Sequence, residues 1–398
     1  MISPESQQIN NVVAEKKSKK DITSRGKMDM TFFGMVMLLL TVGLVMLFSA
    51  SYAYAYYYYN GNSYKFITNQ AMFAVLGVAI MIIISFIDYR WLKKFHLPWI
   101  VYGISVALLV VVLILPPMNA DLGVKRWISF GSFNFQPSEI AKFAIILLFS
   151  YLIAQKKEKM KTFKEGILPF VILLGLVCVL LIKEPHLSAT VLVFFIGAVL
   201  MIVGGIRLRW LALGGGVAVG GFILVVATGI VSYASDRINV WFNPWSDPQG
   251  DGFQTIQSIY AIGSGGLWGR GIGQSRQKYL WVPEPHNDFI FSIVCEELGL
   301  IGAVAILAAF CVLVWRGITI ARRAPDRFGG LLALGITFQV GLQAALNVLV
   351  VTDTIPNTGI SLPFFSYGGT ALLMLLAQMG VLLSISRQSS VKKRVESK

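Results

Sequence analysis

The sequence predicts an all-α polytopic membrane protein: ten transmembrane helices, both termini cytoplasmic, and a large extracellular loop between spans 7 and 8. Three observations predict it. Of 398 residues, 56% are hydrophobic and only 14% charged, whereas a soluble chain carries about a quarter charged residues. Apolar stretches of the roughly 20 residues needed to cross a ~30 Å hydrocarbon core recur along the chain. Lys and Arg crowd one side: with the N-terminus inside, the cytoplasmic segments hold 25 of the 34, the positive-inside asymmetry. Mean hydropathy is +0.69. This composition excludes soluble enzymes, disordered scaffolds and most DNA-binding proteins, and it implies no nucleic-acid partner despite a net charge of +14.

Residues 1–29 are polar and basic, with no small-residue cleavage site ahead of the first span. They read as a disordered cytoplasmic tail and not as a removable signal peptide. Spans are expected at 30–52, 67–87, 97–116, 138–154, 167–183, 187–205, 210–231, 287–315, 330–352 and 367–386. Residues 30–387 thus form one membrane domain, followed by a basic cytoplasmic tail over 388–398. Only Glu184-Pro185-His186 separates the fifth and sixth spans, which predicts a tight hairpin. The Tyr52–Tyr59 run reads as an aromatic belt at the headgroups. Lys156–Lys164 reads as solvated anchors on anionic lipid. Cys178, Cys295 and Cys311 lie in apolar runs and imply no disulfide framework. Residues 232–286 are the longest polar interlude, too rich in Trp, Tyr, Phe and Gly for disorder, and should fold back over the membrane surface.

The outer face is where chemistry is expected. Eleven of the 20 acids fall outside or in the outer halves of spans, gathered at 121–142, 183–186, 236–297 and near Asp353. Asp288 closes the run Pro283-Glu284-Pro285-His286-Asn287-Asp288 and leads into the eighth span. The plain reading is a helix N-cap. Asp288, Ser292 and Glu296 nevertheless recur at i, i+4 and i+8 on one helix face. Glu296 and Glu297 are then expected about 12 Å deeper, within the apolar zone, where acids are costly and by default functional. That helix is expected to line a polar cavity open to the outside.

A second cluster is Lys125-Arg126-Trp127-Ile128 with Gln136-Pro137-Ser138-Glu139 and Lys142. Pro137 suits the first turn of the fourth span. Glu139 and Lys142, three apart, pair on one face, either as an interfacial ion pair or as a buried pair that an anionic ligand engages. Arg237, Asn243-Pro244-Trp245, Asp247-Pro248 and a Gly-rich stretch over 263–273 with Arg270 lie in the large loop, without a phosphate-binding fingerprint. Pro356-Asn357-Thr358-Gly359 and Leu362-Pro363-Phe364-Phe365-Ser366-Tyr367-Gly368-Gly369 break the chain before the tenth span. Broken backbone at membrane depth is tolerated only where protein or a cavity surrounds it. His96, His186 and His286 lie far apart, and no metal-ligand spacing or Ser-His-Asp arrangement appears.

Taken in order, these motifs resemble the SEDS family of FtsW, RodA and SpoVE. The resemblance covers about residues 30–387, and Asn347 with Val350-Val351-Thr352 is closer to FtsW or SpoVE than to RodA. Two departures are mild polar swaps: Asn287 where Thr is common, and Thr370 where Ser is common. The resemblance implies a peptidoglycan glycosyltransferase that polymerises lipid II on the outer face of the bacterial cytoplasmic membrane, with Asp288 as the proposed general base. It implies lipid II as substrate, undecaprenyl pyrophosphate as by-product, and a single-pass class B penicillin-binding transpeptidase as partner, with division-complex membrane proteins at the septum. Pyrophosphate is a good leaving group, so one base suffices, unlike the two carboxylates of ordinary glycosidases. Arg126, Trp127, Glu139, Lys142, Arg237, Arg270, Glu296 and Ser366 are the candidate substrate-binding residues, the cations among them stabilising pyrophosphate. A divalent cation, Mg or Mn, at Asp288 or Glu139 stays open. Two rival classes also stay open: a lipid II transporter and a non-catalytic scaffold. No inverted repeat is visible, and the polar residues crowd the outer face instead of the midplane, which disfavours transport.

Overall fold

The computed structural model describes residues 26–116, 126–130, 133–207, 209–210, 214–216, 220, 237–238, 240–250 and 252–396. The expected seventh span, 210–231, lies almost wholly outside the described residues, as does most of the N-terminal tail. The described chain is helical apart from one small hairpin: α1 Met30–Tyr58, α2 Lys65–Phe86, α3 Leu97–Ile114, β1 Ile128–Phe130, β2 Phe133–Phe135, α4 Pro137–Lys156, α5 Leu168–Lys183, α6 Leu187–Val203, α7 Phe253–Gly265, α8 Ile290–Arg322, α9 Arg327–Val351 and α10 Gly369–Glu396. Eight of these regions are long and apolar enough to cross a membrane, and α6 is a shorter apolar helix of 17 residues. The protein is therefore a multi-pass membrane protein.

Local chemistry sets the helix ends. Asp29 caps α1 by accepting from Phe32 N at 3.0 Å, and Asp326 caps α9 by accepting from Gly329 N at 2.7 Å. Pro137 occupies the first position of α4, where its missing N–H costs nothing. The α5–α6 turn is the expected three-residue hairpin. Both ends of the bundle domain meet on one side: Asp29 N donates to Ser386 Oγ at 3.1 Å, and Arg387 Nε donates to Gly26 O at 3.2 Å. Arg316 pairs with Asp29 at 2.5 Å on that same side. Several elements differ from expectation, α8 among them, which ends seven residues past 315 at Arg322. Helix α1 runs six residues past 52, to Tyr58. Helix α10 continues through most of the C-terminal tail, to Glu396. The large loop contains a helix, α7, which packs on α8.

The eighth span departs most. Gly299 has φ 67° and ψ −171°, so α8 is two helices, 290–298 and 300–322, meeting at a break. Residues 266–271 fill it: Leu300 N donates to Gly266 O at 2.9 Å and Ile301 N to Leu267 O at 3.2 Å, while Arg270 N and Gly271 N donate to Glu296 O and Glu297 O, each at 3.0 Å. Two of the orphaned groups at each helix end are thereby satisfied. Ser49 Oγ donates to Glu297 at 2.6 Å and so levels the break with α1. Ser49 lies 19 residues beyond Met30, about 28 Å along α1 at 1.5 Å per residue, so the break sits far from the end of the bundle where Asp29 pairs with Arg316.

The segment before α10 folds back into the bundle. Its Phe364 carbonyl lies on α1 at Gly43, where a Cβ would come within 2.3 Å of the oxygen. Leu362, Phe364 and Phe365 are all buried in protein, the setting in which irregular backbone survives at this depth.

Candidate active site

Asp288 sits two residues ahead of α8, half-buried, on a chain whose three carbonyls are each held in place. His286 O accepts from Tyr367 N at 2.8 Å, Asn287 O from Ser366 Oγ at 2.8 Å, and Asp288 O from Asn347 Nδ2 at 2.7 Å. Asn347 also donates to Ile360 O at 2.6 Å, and Ser366 Oγ accepts from Leu362 N at 2.7 Å. The broken 353–368 segment is therefore the mould that fixes Asp288. Asp288 Oδ2 lies over Gly359, where a Cβ would approach it to 3.1 Å; at φ +71° only glycine is at ease. Ser188, on the first turn of α6, donates to the Thr358 and Gly359 carbonyls from the other side.

Two arginines act on Asp288. Burial raises its carboxyl to about 6, with Arg126 and Arg237 pulling it down and Glu284 adding to the rise. Arg126 donates to Pro185 O at the α5–α6 turn, and Arg237 donates to Asn357 O. Arg126 also faces Glu184, which is fully buried and whose carboxylate has no hydrogen-bond partner among the described residues. Burial lifts Glu184 to about 8, against the pull of Arg126. His186 is pushed well below its ordinary value by burial and by the positive charges of Arg126 and Lys142. Burial likewise lowers His286 to about 4, so it stays neutral among Phe66, Tyr54 and Tyr367, with ring centroids at 4.1, 4.9 and 5.9 Å.

Glu139 and Lys142 pair on α4 at 2.8 Å, both buried. Lys142 Nζ also reaches Gln343 Oε1 at 3.4 Å, and Gln343 donates to Ser361 O at 3.0 Å, which ties the pair to the same mould. Trp127 is exposed beside β1. Ser366 spends its hydroxyl on the backbone of Leu362 and Asn287.

Glu296 and Arg270 are not brought to Asp288. Glu296 Oε2 accepts from Ser275 Oγ at 2.5 Å and Oε1 from Arg276 N at 2.9 Å, with Arg270 Nε 3.6 Å away. Neighbouring Glu297 takes Lys278 Nζ and Ser49 Oγ. Instead of lining an open cavity, both acids are buried and clamp residues 270–278. Among the described residues no group of three or more His, Cys, Asp or Glu side chains would hold a metal ion, and Glu139 is engaged by Lys142. Residues the sequence reading left out of the site are Glu184, Gln343 and Asn347. The signal for the last two was present as buried amides one helical turn apart in an apolar span.

A multi-pass helical bundle here brings together one acid whose chain is pinned on three carbonyls, two arginines and a buried Glu–Lys pair. This chain belongs to the FtsW/RodA/SpoVE family: the family model described as "Cell cycle protein" matches residues 29–391. The "Stage V sporulation protein E" of Bacillus subtilis (strain 168) is 40% identical over 371 residues, covering 92% of this chain and 99% of that one. The "Probable peptidoglycan glycosyltransferase FtsW" of Geobacter metallireducens is 39% identical over 359 residues, covering 90% and 94%. A solved structure described as "Structural coordination of polymerization and crosslinking by a peptidoglycan synthase complex" matches with TM-score 0.71 at 27% identity, covering 91% of this chain and 98% of that chain.

Proposed function

We propose that this protein is a peptidoglycan glycosyltransferase that joins lipid II units into glycan strands on the outer face of the cytoplasmic membrane. The observation that carries this reading is Asp288, an acid with its backbone clamped on three successive carbonyls and its carboxylate under the charge of Arg126 and Arg237. The names borne by its FtsW relatives support the activity.

In the reaction, the acceptor's 4-hydroxyl gives its proton to a carboxylate oxygen of Asp288 as the hydroxyl oxygen bonds to the donor's anomeric carbon. The bond from that carbon to the pyrophosphate oxygen breaks, and undecaprenyl pyrophosphate leaves with the electron pair. Arg126 and Arg237 offset the negative charge that gathers on the leaving group. Trp127, Glu139 and Lys142 are proposed to contact substrate. Arg270, Glu296 and Ser366 are proposed to hold the segments that position it. A single-pass class B penicillin-binding transpeptidase is the proposed partner at the septum, a reading that the similarity to a synthase complex coordinating polymerisation and crosslinking supports.

The test is polymer formation from purified lipid II by the wild type and Asp288→Asn, each with its transpeptidase. Polymer from the wild type alone is expected. Equal polymer from both would remove Asp288 as the base, and none from either would point to the transport or scaffold reading.

A further inference from the structure

The reaction leaves the buried acid Glu184 without a task. Glu184 caps α5 at the α5–α6 turn and is fully buried, and neither of its carboxylate oxygens meets a donor among the described residues. The turn is pinned: Glu184 N donates to Leu180 O at 3.1 Å and His186 N to Leu181 O at 3.0 Å. Two residues on, Ser188 Oγ donates to Gly359 O at 3.1 Å, against the mould that fixes Asp288. Arg126 is held beside the acid by donating to the carbonyl of the next residue, Pro185. The charge of Arg126 also acts on His186 and on Asp288. Lys142 of α4 acts on His186, Gln136 Nε2 lies 3.4 Å from His186 Nε2, and Lys183 is exposed.

An ionised carboxylate in this place is stripped of water with no N–H or O–H to hold it. Burial accordingly lifts Glu184 to about 8 against the pull of Arg126. Once ionised, it draws on the charge of that arginine, which is the charge a pyrophosphate needs as well. We propose that Glu184 is a positioning residue for the leaving pyrophosphate: protonated, it leaves the charge of Arg126 to the phosphate oxygens, and ionised, it draws that charge to itself. This role rests on the glycosyltransferase reading, in which Arg126 serves the leaving group, and gives that reaction an alkaline limit. The carboxyl is neutral below about 8 and ionises as pH rises through that value, so pyrophosphate is held best below it and less well above. His186, well below its ordinary 6.5, and Asp288, at about 6, shed their protons before Glu184 does.

The test uses the full chain in phosphatidylcholine nanodiscs, with farnesyl pyrophosphate as the probe, titrated calorimetrically at pH 7 and pH 9. The wild type is expected to bind it about tenfold more weakly at pH 9 than at pH 7. In Glu184→Gln and Glu184→Met, both neutral and of similar length, the ratio of the two affinities should fall to about one. Arg126→Gln, which removes the contested charge, should flatten the ratio too. With lipid II and the transpeptidase, the wild-type polymerisation rate should decline above about pH 8 and that of Glu184→Gln should not. Equal wild-type affinities at the two pH values would overturn the proposal, as would a tenfold ratio that survives in either neutral variant. A ratio lost in Glu184→Gln but kept in Arg126→Gln would also overturn it, because the acid would then act through another cation. A wild type that shows the binding ratio but makes no polymer would refute the glycosyltransferase reading alone.

Discussion

Replacing Gly299 by Ala tests whether the break in α8 is required. The backbone there, at φ 67° and ψ −171°, lies in a region essentially reserved for glycine, and a side chain costs about 1–3 kcal/mol from conformation alone. An added Cβ would also stand 2.3 Å from Gly269 N and 2.6 Å from Leu267 O, both backbone atoms that cannot swing aside. Overpacking of this kind costs about a further 1–3 kcal/mol. Relief would require residues 266–271 to withdraw, breaking the four backbone hydrogen bonds that seal the two helix ends. The expected loss is about 2–6 kcal/mol, read as a lowered apparent melting temperature by intrinsic tryptophan fluorescence in detergent, with reduced polymer formation. Gly103→Ala is the control: it lies within α3, has nothing within 4 Å of its added Cβ, and should be neutral or stabilising by up to about 1 kcal/mol. Gly299→Ala melting and working like the wild type would refute the idea that the break organises the outer face.

Other outcomes follow from the same geometry. The base form of Asp288 is the ionised one and burial raises its carboxyl to about 6, so the polymerisation rate should fall as pH drops through about 6; a rate flat from pH 7 to 5 would oppose this. Arg126→Gln and Arg237→Gln each remove a charge that lowers that value, and should move the acid limb to higher pH while weakening donor use. Arg270→Gln, whose partner is Glu296, should leave the limb where it is. Lys278→Met leaves Glu297 buried without its cation, at a cost of about 3–5 kcal/mol; Lys278→Met/Glu297→Gln should recover part of that loss in thermal denaturation.

Much of this was legible in the sequence because the signals are local. Twenty-residue apolar runs mark spans, Pro137 marks the start of α4, Glu-Pro-His marks a hairpin, and i,i+3 spacing pairs Glu139 with Lys142. The Gly299 break was not legible, because Glu296-Glu297-Leu298-Gly299-Leu300 continues a helical pattern and a single glycine is tolerated there. Counting along an unbroken helix therefore puts Glu296 on the face of Asp288, whereas the structure gives it other partners. Its true partners, Ser275 and the amides of Arg276 and Gln277, come from a loop whose path depends on tertiary packing. The contact of Ser49 with Glu297 spans 248 positions, and no sequence pattern announces it.

The interrupted helix also acts as a coupling. Because Gly299 lets residues 266–271 enter between the two halves of α8, the half that leads from Asp288, 290–298, takes its direction from that loop as well as from the longer half. Glu296 and Glu297 at its end hold residues 275–278, so a shift anywhere along that loop is passed to Asp288 through one short rigid helix.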